Sequence, residues 1–252
     1  MARSADAANG RTAFRLPGHL GDLNARLPRP GSTACWFQLD RGQMNRNLGI
    51  LAYGSLIDEP GDEIAGATAE ILREGITTPF PVEFARSSRT RAGAPTLVPV
   101  TVGGTRIPAR IYILHGNVSE EEARDMLWRR ETGRRGRRPN SAAHSNPGPN
   151  EVIIKSVADF QGVGTVLYTS IAANIVQLTP KQLAALALNS ARSAEVAAKG
   201  RDGISYLMAA LRNGVRTELS AAYEEEVLRQ AGAATLADAI ERVRFVGRVA
   251  AD

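Results

Sequence analysis

The chain has 252 residues, 43% of them hydrophobic and 23% charged, which suffices for one large domain or two small ones around a real core. Lys and Arg total 31 against 26 Asp and Glu, a net charge of +5 carried mostly by arginine, which is a mild bias towards anionic partners. A single cysteine, Cys35, excludes an intramolecular disulfide framework, and three histidines, His19, His115 and His144, leave little for a zinc site, so a reducing, cytoplasmic setting is expected.

Residues 1 to about 46 mix Gly, Pro, Arg and Asn without sustained periodicity, which predicts a flexible leader that becomes ordered near Cys35-Trp36-Phe37. Its first residues, Met-Ala-Arg-Ser-Ala-Asp, lack the apolar segment of a signal peptide. From Leu48 the texture changes to short β-like runs at 48 to 53, 67 to 76, 81 to 86, 96 to 102 and 107 to 114, separated by Gly or Pro. These predict a curled antiparallel or mixed sheet, with Gly103-Gly104 as a hairpin turn. Ser119-Glu120-Glu121-Glu122 is a capping box that opens a helix running through Leu127 and Trp128 towards Gly133. A polar loop at 133 to 150 precedes two further strands, 151 to 157 and 163 to 170. The longest apolar stretch, Ile171 to Leu188, is interrupted by Asn174, Gln177, Pro180 and Lys181, so no membrane span is expected. Thr179-Pro180-Lys181-Gln182 is a second capping box, with proline at the first helical position. Helical periodicity follows over 203 to 213, 218 to 231 and 234 to 245, with Gly200 and Gly214 as helix stops. The organisation predicted is a leader at 1–46, a β-rich domain at 47–175 and a helical region at 176–252 packed on it.

Two places in this layout suggest chemistry. Leu51-Ala52-Tyr53-Gly54-Ser55-Leu56-Ile57 is an apolar run interrupted by a Tyr-Gly-Ser turn. It predicts a buried strand entering a tight loop whose backbone amides suit an oxyanion or a carboxylate, with Gly54 free to adopt positive φ and admit a ligand close to the main chain. On the predicted helix, Ala123, Leu127 and Glu131 stand four apart, so Glu131 continues the inward-facing stripe. Two readings of Glu131 are open: a carboxylate that moves a proton beside a loop of donors, or a surface residue ion-paired with one of its arginine neighbours.

Three segments, in order, resemble the γ-glutamylcyclotransferase-like family. They are Tyr53-Gly54-Ser55-Leu56 after an apolar strand, Arg89-Thr90-Arg91-Ala92-Gly93-Ala94-Pro95-Thr96 leading into a strand, and a helix ending Leu127-Trp128-Arg129-Arg130-Glu131-Thr132-Gly133. The resemblance spans about residues 48 to 170. It implies an α+β fold, a small mixed β-barrel with an active-site helix, to which this chain adds a helical C-terminal extension. It also implies an enzyme that cyclises a γ-glutamyl group and releases 5-oxoproline. Glu131 would be the catalytic acid and base, Tyr53, Gly54, Ser55 and Leu56 would hold the γ-glutamyl head, and Arg91 or Arg130 would pair with an anionic tail. Neither cofactor nor metal is implied, and the expected partner is a small γ-glutamyl compound met by a monomer or homodimer. Leu56-Ile57 after the serine and the Leu-x-x-Arg-Glu ending at Glu131 lean towards the ChaC-like branch, which acts on glutathione.

The chain departs from that pattern in its basic loop. The segment from Arg129 to Arg138 holds six arginines and one acid, and the loop at 133 to 150 is long and basic, which fits a lid beside the site. It also fits an alternative function, a non-catalytic binding or interaction protein on the same fold with an anionic partner. Nucleic acid is disfavoured as that partner, because the cluster lacks interleaved aromatics. Tyr112, Trp128 and Tyr168 are candidates for either pocket lining or core. A Ser55–His115–Asp triad lacks the Gly-x-Ser-x-Gly elbow, and a Cys35–His144 thiol site competes with a plain core role for Cys35.

Overall fold

A computed structural model describes residues 46–138, 148 and 150–249. The predicted leader, together with Cys35 and His144, lies outside the described residues, apart from Arg46. In chain order the elements are β1 (Leu48–Ala52), a 3-10 turn (Gly54–Ile57), α1 (Asp62–Ala67), β2 (Thr68–Leu72), β3 (Val82–Ser88) and a second 3-10 turn (Arg89–Arg91). There follow β4 (Ala94–Pro99), β5 (Arg110–Leu114), α2 (Glu120–Thr132), β6 (Ile153–Phe160) and β7 (Val163–Ser170). The remainder is helical: α3 (Pro180–Ala191), α4 (Ala194–Ala198), α5 (Gly203–Arg212), α6 (Ser220–Ala231) and α7 (Leu236–Val249).

The fold is mixed α+β, but the expected barrel does not close. Five strands form one open sheet in the order β2-β5-β1-β7-β6, while β3 and β4 form a separate two-stranded ribbon. Within the large sheet β1 and β7 run parallel and the other neighbours antiparallel. The physical reason for the opening lies at Gly103-Gly104. These residues do not turn a hairpin; they carry the chain from β4 in the ribbon to β5 in the sheet. Gly104 has φ of 76°, and a Cβ there would lie 2.8 Å from the Val82 carbonyl oxygen, so the chain bends sharply against β3 at a place only glycine permits. The isolated bridges Thr77↔Pro108 and Val82↔Thr105 join β3 and the segment before it to the segment before β5, and the N–H groups of Asn174 and Ile175, beyond β7, donate to the Ala85 carbonyl of β3 at 3.1 Å.

Period-two alternation sorts the sheet residues into two cores. Leu51, Ile111, Ile113, Val163 and Val166 share one cluster with the ribbon residues Phe84 and Leu97 and with the C-terminal helices, through Leu183, Ile204, Leu207 and Val227. The intervening residues Ile50, Ala52, Tyr112, Leu114 and Leu167 face the other way and pack with Ile64, Ala123, Met126, Leu127 and Trp128. The sheet is therefore covered on both faces, by α2 and α1 on one side and by the ribbon and C-terminal helices on the other. Both N-caps form where the sequence predicts them: Ser119 Oγ accepts from Glu122 N at 3.2 Å and Thr179 Oγ1 from Gln182 N at 3.3 Å. Gly133 ends α2 in the left-handed conformation, its N–H on the Arg129 carbonyl at 2.8 Å.

A buried carboxylate fastens the ribbon to the helices. Glu83 is 2% exposed; its Oε1 accepts from Phe84 N at 2.8 Å and Thr217 Oγ1 at 2.6 Å, and its Oε2 from Leu219 N at 3.3 Å. Three donors satisfy a charge that would otherwise be costly to bury. Among the described residues, no helix is long and apolar enough to cross a membrane.

Candidate functional site

A cleft of about 1290 Å³ opens beyond the C-terminal ends of the parallel strands β1 and β7, the position where open α/β sheets expose backbone and loop groups to ligands. β1 delivers Tyr53 and the 3-10 turn to it. Tyr53 packs edge-on against Phe80 at 5.7 Å, and its hydroxyl donates to the Thr169 carbonyl of β7 at 2.7 Å. Burial pushes the Tyr53 phenol well above its ordinary range, the Thr169 bond opposes that, and the Glu131 charge adds to it. Gly54 follows with φ of 58°, and a Cβ there would lie 2.8 Å from Tyr206 Oη. Both conformation and space thus require glycine. The turn is held from behind, because Tyr112 Oη donates to the Leu56 and Ile57 carbonyls at 3.3 and 2.9 Å and Arg110 Nη1 to the Ile57 carbonyl at 3.0 Å.

α2 supplies the second part. Ala123 and Leu127 are fully buried, and the stripe ends at Glu131, whose side chain is 24% exposed and faces the cleft. Arg130 links the two parts: its Nη1 donates to Glu131 Oε1 at 2.6 Å, its Nη2 to Ser55 Oγ at 3.3 Å and to the Glu59 carbonyl at 2.6 Å. Glu131 is thus ion-paired with an arginine neighbour, and its side chain also lines the cleft. Its Oε2 has no hydrogen-bond partner among the described residues and is open to a donor. Compared with known proteins, the chain matches no family model, no curated protein and no solved structure.

Of the site residues named from sequence, Tyr53, Ser55, Arg91 and Glu131 line the cleft, and Gly54 and Leu56 do not. Leu56 is 2% exposed and sits in the core beneath α2, while its N–H turns back to the Tyr53 carbonyl at 3.4 Å. The N–H groups of Gly54 and Ser55 have no hydrogen-bond partner among the described residues. Trp128 lines the cleft, but Tyr168 packs on Phe80 at 4.6 Å and Tyr112 supports the turn. His115 makes no hydrogen bond to Ser55, whose Oγ receives Arg130, so the Ser–His–Asp arrangement is not assembled. No group of His, Cys, Asp and Glu among the described residues is arranged to hold a metal ion.

The basic loop segment is divided rather than massed. Arg129 pairs with Glu63, Arg130 with Glu131 and Arg138 with Asp125, while Arg134, Arg135 and Arg137 are exposed. The cleft nevertheless carries a cationic excess, seven arginines against three glutamates. Several come from places the sequence left unassigned. Arg86 of β3 donates to the Ala172 carbonyl at 2.7 Å and Asn150 Oδ1 at 2.8 Å. Arg201 comes from the loop between α4 and α5, and Tyr206 from α5. Tyr206 Oη accepts from Leu97 N at 3.3 Å, and Arg91 lies over its ring at 4.9 Å. Burial raises the Tyr206 pKa, and the adjacent Arg91 opposes that rise. The one signal for Tyr206 in the sequence was its place on a periodic helix, which any core tyrosine shares.

Proposed function

We propose that the protein is a γ-glutamyl cyclotransferase. The observation that carries the reading is the single cleft in which Arg130 joins Glu131 to Ser55 of the Tyr-Gly-Ser turn, since the resemblance needs a proton-moving carboxylate beside a head-binding loop. The supporting chemistry is an internal acyl transfer. The α-amine of the γ-glutamyl group attacks the γ-carbonyl of the same residue, and Glu131, through its open Oε2, takes the proton that the attacking nitrogen sheds. The carbonyl oxygen becomes an oxyanion, for which the N–H of Ser55, a residue that lines the cleft, is the available backbone donor. As the five-membered lactam closes, the original amide C–N bond breaks and Glu131 returns the proton to the departing amine. Attack within one molecule needs chiefly that amine and carbonyl be held in contact, a task suited to the turn, Tyr53 and Trp128. Arg130, fixed by the Glu59 carbonyl, sets the carboxylate's orientation. Substrates consistent with this site include glutathione and other γ-glutamyl compounds.

The test is release of 5-oxoproline from a γ-glutamyl panel, followed chromatographically, for wild type and Glu131→Gln. Loss of a general acid–base group predicts a fall of about 10²- to 10⁴-fold in kcat with an unchanged circular dichroism spectrum. Turnover retained in Glu131→Gln overturns the reading. Saturable binding of γ-glutamyl compounds with no turnover in either protein favours a non-catalytic binding protein on this fold.

A further inference from the structure

Arg91 is 8% exposed and lines the cleft, yet no carboxylate lies within ion-pair distance of it among the described residues. Its guanidinium has one hydrogen bond, from Nη1 to the Arg201 carbonyl at 3.3 Å, besides its contact with the Tyr206 ring. A guanidinium offers five N–H donors, so most of those of Arg91, a residue that lines the cleft, are unmatched among the described residues. The position is held from several sides: Ser190 Oγ donates to the Arg91 carbonyl at 2.6 Å and itself accepts from Gly203 N at 3.2 Å. Burial lowers the Arg91 pKa; Arg201 and Arg130 add to that, and Tyr206 and Glu59 oppose it. A buried cation kept without its counter-charge is costly, and the cost is offset when an anion arrives from solution.

The neighbours repeat the pattern. Arg201 and Arg89 are exposed, line the same cleft and have no carboxylate partner among the described residues. Of the acids in the cleft, Glu131 is engaged by Arg130, which leaves Glu59 and Glu151 against Arg89, Arg91, Arg134 and Arg201. A γ-glutamyl head carries one ammonium and one carboxylate and so is neutral overall. We infer that the substrate's leaving amine carries at least two negative charges, seated against Arg91, Arg89 and Arg201. The inference rests on the cyclotransferase reading and narrows its substrate class. Phosphate and paired carboxylates share the recognising chemistry, an oxyanion met by guanidinium donors.

The experiment compares kcat/KM for γ-glutamyl derivatives of ethylamine, alanine, glutamate and O-phosphoethanolamine, whose leaving groups carry zero, one, two carboxylate and about two phosphate charges. A rise of at least tenfold from the neutral to the doubly charged leaving groups is expected. Arg201→Ala and Arg89→Ala change exposed side chains, and each should lower kcat/KM for the doubly charged pair about ten- to hundredfold and flatten the series. Which of the pair is faster separates phosphate from carboxylate. Equal values across the series, with turnover still abolished by Glu131→Gln, overturn the charged-tail inference and leave the cyclotransferase reading standing. If no derivative releases 5-oxoproline, that reading fails, and the subsite is judged by calorimetry with O-phosphoethanolamine and ethanolamine. Binding of the first alone, weakened at least tenfold in Arg91→Ala and Arg201→Ala, upholds the anion subsite; equal or absent binding overturns it.

Discussion

Gly54→Ala tests the turn at its tightest point. Position 54 has φ of 58°, and holding an alanine in that left-handed region costs about 1–2 kcal/mol. The new Cβ would stand 2.8 Å from Tyr206 Oη, closer than carbon and oxygen approach without a shift. Tyr206 is buried, and its hydroxyl accepts from Leu97 N, so moving it forfeits that bond at about 1 kcal/mol. Together the expected loss is roughly 2–3 kcal/mol, a fall in Tm of roughly 5–12 °C for a chain of this size. Thermal and urea melts followed by circular dichroism would measure it, run on Gly54→Ala, Tyr206→Phe and the double variant. Removing the hydroxyl makes room for the Cβ, so the double variant should lose about 1 kcal/mol less than the sum of the singles. A Gly54→Ala protein within about 0.5 kcal/mol of wild type, or strict additivity in the cycle, refutes the reasoning.

Other consequences are open to the same instruments. Glu83→Ala leaves the Phe84 and Leu219 amides of a closed core without their acceptor and should cost about 2–4 kcal/mol; a urea midpoint unchanged from wild type would contradict the clamp. Tyr223 is fully buried and its hydroxyl has no hydrogen-bond partner among the described residues, so Tyr223→Phe should match or exceed wild type by about 1 kcal/mol, whereas a loss of that size would reveal a partner. Burial raises the pKa of all five tyrosines, Tyr53, Tyr112, Tyr168, Tyr206 and Tyr223. Raised folded values mean that their contribution to stability is intact below about pH 10, the unfolded value, and is lost as pH climbs above it. Tyrosinate absorbance should therefore lag in the native protein and appear together with alkaline unfolding; a reversible titration of folded protein centred near pH 10 would show the burial argument wrong.

The elements were legible where local chemistry decides them. Ser119 and Thr179 announce their helices because a side-chain oxygen three residues ahead of a free amide is a local arrangement, and both bonds are present. The stripe Ala123–Leu127–Glu131 likewise follows from helical geometry alone. Closure of the sheet was not legible. Strand-like runs carry no mark of which partner they pair with, and Gly103-Gly104 fits a hairpin and a crossover equally well until the register is known. The site divided in the same way: Tyr53, Ser55 and Glu131 stand in short motifs, whereas Arg86, Arg201 and Tyr206 reach the cleft only through tertiary packing. Leu56 went astray because a 3-10 turn rotates successive residues by about a third of a circle, which sends Ser55 to the cleft and Leu56 to the core.

The division of the cleft between sheet, ribbon and C-terminal region has a consequence for how the protein can vary. The turn, Arg130 and Glu131 belong to the sheet and α2, whereas Arg89 and Arg91 lie in the turn that joins the two ribbon strands, Arg201 just before α5 and Tyr206 on α5, fastened to the ribbon through Ser190 and Leu97. On the proposed reading, the half that moves protons and the half that sorts substrates by charge are inherited as separate blocks. Exchanging residues 82–99 together with 201–206 would then re-address that chemistry to a different amine while the ring closure stays as it is.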